Sequence, residues 1–339
     1  MSFLFPSSTI TIEAALRDLV QGSPKSRAFA AHALGDVTDP TEKARAVEAL
    51  IVALEDDRPE VRAEAASSLG DLKETSAIPP LVKRLDDGSP GVRQNAAIAL
   101  GTIAHADAFE PLAEALRQGP ADLRFQAATS LAEIDQQRAY DPLVAALGDQ
   151  DPLVVGAAAL SLGAIGDKKA IAVLAPVVDH RDASARFDAA HALAELGDAA
   201  GQGILVEAIG DPERAWDAIT ALATLGATAT SPSAARAIEA LGRALSDRRV
   251  PPEATVLAAG RLLEIAPQST HSDAAQRVLL AALQARKTHL RGLAVEQLAL
   301  AGGEWAKLPL EKLARSGKGG ELLEPIAAAL EAIAKRETR

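Results

Sequence analysis

Asp188 and His191 stand three residues apart, a spacing that puts a carboxylate and an imidazole on one face of a helix and supplies the parts of an oriented general base. No nucleophile accompanies the pair by spacing, and a histidine on a helix surface is more often a polar residue than a catalyst. The chain has no Cys, which removes thiolate catalysis, thiolate metal sites and disulfides together. DHRD at 179–182 has the letters of a metal site, but one His among acids in a solvated turn is not a ligand set. GDKKAI from Gly166 lacks the spacing of a phosphate-binding loop and fits a turn with its charges exposed. The expectation is therefore a non-enzymatic protein with no cofactor and no metal.

Binding chemistry is better represented. Aromatics are only 3% of the residues, yet three of the nine, Phe125, Phe187 and Trp216, fall at one position of an internal repeat. Gln126, Asp188 and Asp217 follow them directly, and His191 lies one turn beyond Phe187. Rings rimmed by polar groups, around the small residues Gly156 and Ala157, are what a partner anchor needs. The competing account is that the rings fold onto the next helix and fill space. These seven residues, Phe125, Gln126, Phe187, Asp188, His191, Trp216 and Asp217, form the candidate partner-binding site.

The elements that must position them are written repeatedly. PEVRAEAASSLGDL at 59–72 recurs as PGVRQNAAIALGTI at 90–103, ADLRFQAATSLAEI at 121–134, PLVVGAAALSLGAI at 152–165 and ASARFDAAHALAEL at 183–196. With Arg62 as offset zero, the equivalents are Arg27, Arg93, Arg124, Val155, Arg186, Ala215, Thr255 and Arg291. Leu stands at offset +7 in all nine copies, and a small pair, Ala-Ala in seven of them, at +3 and +4. Offsets −1, +3, +7 and +10 are three to four residues apart, so they make one buried stripe of a helix, here termed B. A Pro three residues before the register, as at Pro24, Pro59, Pro90, Pro152, Pro212 and Pro252, fits the first helical turn.

Between the B helices lie segments such as AIPPLVKRL and AYDPLVAAL, whose Leu81, Leu85, Leu112, Leu116, Leu143 and Leu147 mark the buried side of a second helix, A. A fixed period near 31 residues, with short turns, predicts stacked helical hairpins. The register Arg lies beside turn acids Asp56, Asp87, Asp149 and Asp211 and is expected to tie adjacent repeats together. Spacing shortens to 29 ahead of Ala215 and lengthens to 40 near ATATSPSAAR, where Thr228, Thr230, Ser231, Pro232 and Ser233 suggest a weak seam. One domain is expected over 1–339: an N-terminal cap at 1–23, with Phe3, Phe5 and Pro6 covering the end of the stack, repeats at 24–302, and a C-terminal cap at 303–339.

On these residues the chain resembles the HEAT-like repeat family, of the short bacterial and archaeal type associated with phycobilin lyase subunits; the frame D-x-x-V-R-x-x-A-A-x-A-L-G-x-I-G-D is fullest at 151–167. The resemblance implies an all-α fold, a right-handed α-solenoid, or superhelix, of about nine hairpins with the B helices lining its concave face. Offsets +1, +2, +5 and +9 then point into that face. It also implies a scaffold or adaptor that binds a protein or peptide, with a bilin (tetrapyrrole) lyase or chaperone subunit as the alternative. Members of one class, the deoxyhypusine hydroxylases, bind iron through His-Glu dipeptides, and none of the six His here is followed by Glu.

The net charge of −11 opposes nucleic-acid binding, which draws on clustered Lys and Arg. Residues 1–170 hold 16 Lys and Arg against 25 Asp and Glu, and the remainder 19 against 21, so the acidity sits in the first half. No stretch approaches 18 uninterrupted apolar residues, so no membrane span is expected. The opening MSFLFPSSTITIEAAL lacks a basic n-region and its apolar run breaks at Pro6, so a cytoplasmic protein is the expectation.

Overall fold

A computed structural model of the chain describes residues 10–227, 232–316 and 319–337. Among them are twenty α-helices and no strand. Contacts divide the chain into two compact units that meet at Ile165 and Gly166. Phe3, Phe5 and Pro6, and Thr228, Thr230 and Ser231 of the insertion, lie outside the described residues.

The first unit holds α1 (Ile12–Gln21), α2 (Pro24–Gly35), α3 (Pro40–Ala53), α4 (Pro59–Leu72), α5 (Ile78–Arg84), α6 (Pro90–Ile103), α7 (Phe109–Gln118), α8 (Ala121–Ile134), α9 (Gln136–Ala146) and α10 (Pro152–Ile165). Odd-numbered helices are A and even-numbered helices are B. Each A packs on the B that follows it, and α2, α4, α6, α8 and α10 pack in series. Pro24, Pro59, Pro90 and Pro152 each open a helix, where a missing N–H costs no hydrogen bond.

Burial follows the repeat. Val61, Ala65 and Leu69 are fully buried and Leu72 nearly so, and all nine Leu at offset +7 are 0% exposed. The small residues set how close the B helices come. A Cβ added at Gly70 would lie 2.8 Å from the Cα of Ala99 on the next B helix, and one at Gly101 would lie 2.8 Å from the Cβ of Ser130. Offset +8 of one repeat is thus pressed against offset +6 of the next.

The register Arg joins repeats at the turn edge. Arg62 Nη1 donates to the carbonyl of Asp56 at 2.9 Å, while Nε and Nη2 grip both oxygens of Asp87, the turn acid of the next repeat. Arg124 grips Asp149 in the same way, and Arg27 reaches Asp56 and Asp57. Arg93 instead holds Asp122, because the turn before α8 reads Gln118-Gly119-Pro120 and offers no acid. Asp87 and Asp149 also accept the backbone N–H two residues on, so each acid organises its own turn and ties the repeat before it.

The second unit holds α11 (Ile171–Leu174), α12 (Ala183–Glu195), α13 (Gln202–Ala208), α14 (Ala215–Ala227), α15 (Pro232–Ala244), α16 (Pro252–Ile265), α17 (Ser272–Leu283), α18 (Thr288–Ala301), α19 (Glu304–Arg315) and α20 (Leu323–Glu337). The B helices α12, α14, α16, α18 and α20 again pack in series. Pro232 and Ser233 open α15, an ordinary A helix of the next hairpin. Pro212 does not open a helix: α14 begins only at Ala215, and the register stands ten residues after the A-helix Leu205, where Leu81 and Arg93 are twelve apart.

The C-terminal segment, expected as a cap, holds a tenth helical hairpin, α19 and α20. α19 packs on α17, and α20 on α18, with Ile326, Ala329 and Ile333 buried where other repeats have the register residue, Ala and Leu. Arg336 ties this hairpin to the one before it by donating to the carbonyls of Leu298, Ala299 and Gly302 at the end of α18, groups that a helix terminus leaves unpaired.

The ladder does not continue into the second unit. Arg186 Nη1 donates to the carbonyl of His180, and Arg291 Nη1 to those of Ala285 and Arg286, but neither guanidinium meets a carboxylate among the described residues. Asp211, the expected partner of Arg186, lies 3.9 Å from Arg214 instead. The shortened repeat spacing puts Ile209 six residues before the register, where earlier repeats place their acid.

Candidate functional site

Of the seven candidate residues, Phe125 and Gln126 belong to the first unit and the other five to the second, and each set stands by itself. On α8, the Phe125 ring is 38% exposed. Gln126 is half-buried; its amide donates to Thr129 Oγ1 at 2.8 Å, and that hydroxyl donates back to the Gln126 carbonyl. Two further apolar side chains on neighbouring B helices are open: Ile98 on α6, at 44%, and Leu160 on α10, at 38%. Both occupy offset +5, where other repeats place His32, Ser67 and Thr129. An aliphatic residue at a polar offset was the signal that a search for aromatics passed over. Gly156 and Ala157 are buried in α10 and floor no open gap.

The polar groups beside them tie repeats together or stand free. His32 Nδ1 is 2.7 Å from Glu64 on the next B helix, and Asn95 donates to the Ala63 carbonyl at 2.9 Å. Asp36, Asp71 and Glu133, all at offset +9, are exposed. Partial burial of the Asp71 carboxyl group within its exposed residue, and then the like charge of Asp36, push it up, against the attraction of His32 and Lys73.

In the second unit Phe187 is not a surface anchor. It is 6% exposed and belongs to the core with Ala190, Ala218 and Ile219. Arg214 lies over its ring, 5.1 Å from the centroid, a cation-on-aromatic contact. Arg214 stands one residue ahead of the register, directly before α14, and this side chain covers the ring. Trp216, at the same offset one repeat on, is 44% exposed, and Asp217 beside it is exposed too.

Asp188 is half-buried and accepts no hydrogen bond among the described residues; burial pushes its carboxyl up, against the attraction of Arg214 and His191. His191 Nδ1 is buried without a hydrogen-bond partner, and the nearest Glu195 oxygen is 3.9 Å away. Asp188 and His191 therefore share a face without being hydrogen-bonded as a base and its orienting acid. They can accept or donate to something placed over α12. Among the described residues no three His, Asp or Glu side chains converge as a metal site.

A cavity of about 470 Å³ in the first unit lies at the turn edge, lined by Arg117, Gly119, Arg124, Pro142 and Asp149 among others. Its two principal charges, Arg124 and Asp149, already hold each other at 2.7 Å. It leaves a ligand little to bind.

HEAT repeats are matched at residues 11–101, 47–124, 78–161, 109–194 and 142–226, which together span more than half of the sequence. The chain belongs to the HEAT-repeat family. No curated protein is significantly similar to it in sequence. Among solved structures, the complex of CpcE and CpcF of phycocyanin lyase from Nostoc sp. PCC7120 is 24% identical with a TM-score of 0.41, over 81% of this chain and 96% of that one. Importin Beta is 13% identical with a TM-score of 0.56, over 95% of this chain. The match spans about half of importin's length, 52%, so the likeness is one of fold. No helix among the described residues is long and apolar enough to cross a membrane.

Proposed function

We propose that this HEAT-repeat chain is a non-enzymatic scaffold that holds protein or peptide partners on the B-helix face of each of its two units. The observation that carries the reading is the exposure of Phe125 and Trp216, at 38% and 44%, in a chain with so few aromatics that each is otherwise worth burying. Offsets +3, +7 and +10, which serve packing, are apolar in every copy, so large rings left in water at the free offsets are unspent binding surface. Covering the open part of one such ring, roughly 80 Å² of a side chain that buries about 200 Å², is worth about 2 kcal/mol. That makes each ring a candidate hot spot.

Asp188, His191 and Asp217 in the second unit, and Gln126 in the first, supply polar contacts around the rings. Phe187 supports the second unit from within, so the anchors reduce to Phe125 and Trp216, with Ile98 and Leu160 added in the first unit. Such a face favours a protein over nucleic acid, given the net charge of −11. No side chain favours the tetrapyrrole alternative over this reading.

The test is capture of partners from native extract by the full chain and by the Phe125→Ala/Trp216→Ala variant, with helical circular dichroism as the control for folding. Loss of the captured species with the helical signal intact supports the scaffold reading. Unchanged capture overturns it.

A further inference from the structure

The first unit's B-helix face has a charge pattern that specifies its partner further. From offset +1 to offset +9, the five helices α2, α4, α6, α8 and α10 contain no Lys and no Arg. Over the same offsets they carry four carboxylates: Asp36, Glu64, Asp71 and Glu133. The register arginines sit at the turn edge and are held there by Asp56, Asp87, Asp122 and Asp149. Glu64 is engaged by His32. Asp36, Asp71 and Glu133 are exposed, and the groups that draw on Asp71 are His32 on α2 and then Lys73, two residues on at the end of α4.

We infer that this face takes a basic segment of a partner chain, its apolar side chains covering Ile98, Phe125 and Leu160 and its Lys or Arg side chains meeting Asp36, Asp71 and Glu133. The inference rests on the scaffold reading and adds the class of partner. Two lines cross the B helices. The apolar one runs over α6, α8 and α10 at offsets +1 and +5, and the acidic one over α2, α4 and α8 at offset +9. Four residues of helix separate +5 from +9, about 6 Å along the axis, which one peptide spans with side chains pointing both ways.

Neighbouring helices lie about 8–10 Å apart, a distance an extended chain covers in about three residues. The partner is therefore bipartite. Its basic end lies over α2 and α4, and its other end carries apolar residues about three apart over α6, α8 and α10, with one further base reaching Glu133. Asp71 adds support: Asp36 on the adjacent repeat repels it, and an incoming cation relieves both.

The experiment is fluorescence anisotropy with the full chain and three labelled peptides. The first has a Lys/Arg cluster leading into Leu at every third position, the second has Glu in place of every base, and the third has Ser in place of every Leu. The first peptide is expected to bind at least about tenfold more tightly than either control, with affinity falling as salt rises. Ile98→Ser/Leu160→Ser should weaken it about tenfold, and Asp71→Asn/Glu133→Gln should weaken it and flatten the salt dependence. Val52→Ser on α3, outside the face, should change nothing.

Equal binding of the acidic peptide, no binding of the basic one, or indifference to both double variants overturns the inference. If the basic peptide fails while capture of native partners still depends on Phe125 and Trp216, the basic-partner assignment falls and the scaffold reading stands. If that capture is also indifferent to both rings, the scaffold reading falls as well.

Discussion

Arg62 and Asp87 are joined by two parallel bonds, Nε to Oδ2 at 2.8 Å and Nη2 to Oδ1 at 2.7 Å, across the boundary between two repeats. The Asp87 side chain is 4% exposed and the Arg62 side chain 16%, so removing either leaves a largely buried charge. Arg62→Met is expected to cost about 2–4 kcal/mol, read as a lowered urea midpoint. Arg186→Met, at the register position with no carboxylate partner, is expected to cost about 1 kcal/mol or less. Equal costs would mean that the ladder does not join the repeats.

The same pairing sets an acid limit. Arg124, against the opposing effect of burial, holds the Asp149 carboxyl below its usual range. A depressed folded value contributes stability that is complete above the unfolded value, about 3.9, and is lost as pH falls through the folded one. The stability gap between wild type and Asp149→Asn should therefore be wide at neutral pH and close below about pH 4. A gap independent of pH would contradict the pairing.

Asp188 has the opposite sign. Its raised carboxyl favours the protonated form in the folded state, so its contribution falls as pH rises from the unfolded value to the folded one. Asp188→Asn is expected to raise the thermal midpoint at pH 7 and to have no effect near pH 3. Destabilisation by the same change at pH 7 would show that Asp188 is held by interactions other than those described above.

Gly70→Ala tests the close approach of the B helices. Helix propensity alone predicts a gain of about 1 kcal/mol. The added methyl would lie 2.8 Å from a backbone atom of Ala99, which cannot turn aside, and the net effect is expected to be a loss of about 1–3 kcal/mol. A stabilised variant would mean that α4 and α6 part easily.

The fold was readable in the sequence where the repeat is strict. Leu at +7 and the small residues beside it state directly which face is buried. The tenth hairpin escaped because Ile326 and Ile333 replace the Arg and Leu on which the register was built. The candidate site was readable only in part, since burial of a ring at offset +1 depends on its neighbours as well as its own position. Phe187 and Trp216 share that offset, yet Arg214, one residue ahead of the register of the next repeat, lies over the first, whereas Ala254 stands at that place after the second. Ile98 and Leu160 carry no mark of exposure in their residue type; only their offset, +5, which holds His32, Ser67 and Thr129 in other copies, sets them apart from the core.

The central claim is that partners sit on the B-helix face, and site-specific photo-crosslinking of the full chain in native extract tests it most directly. A photoreactive residue at Thr129 or Thr220, each one turn beyond an exposed ring, is predicted to give discrete adducts with the captured partner, while the same residue at Val52 on α3 gives none. Adducts from Val52 with none from Thr129 or Thr220 would contradict the account.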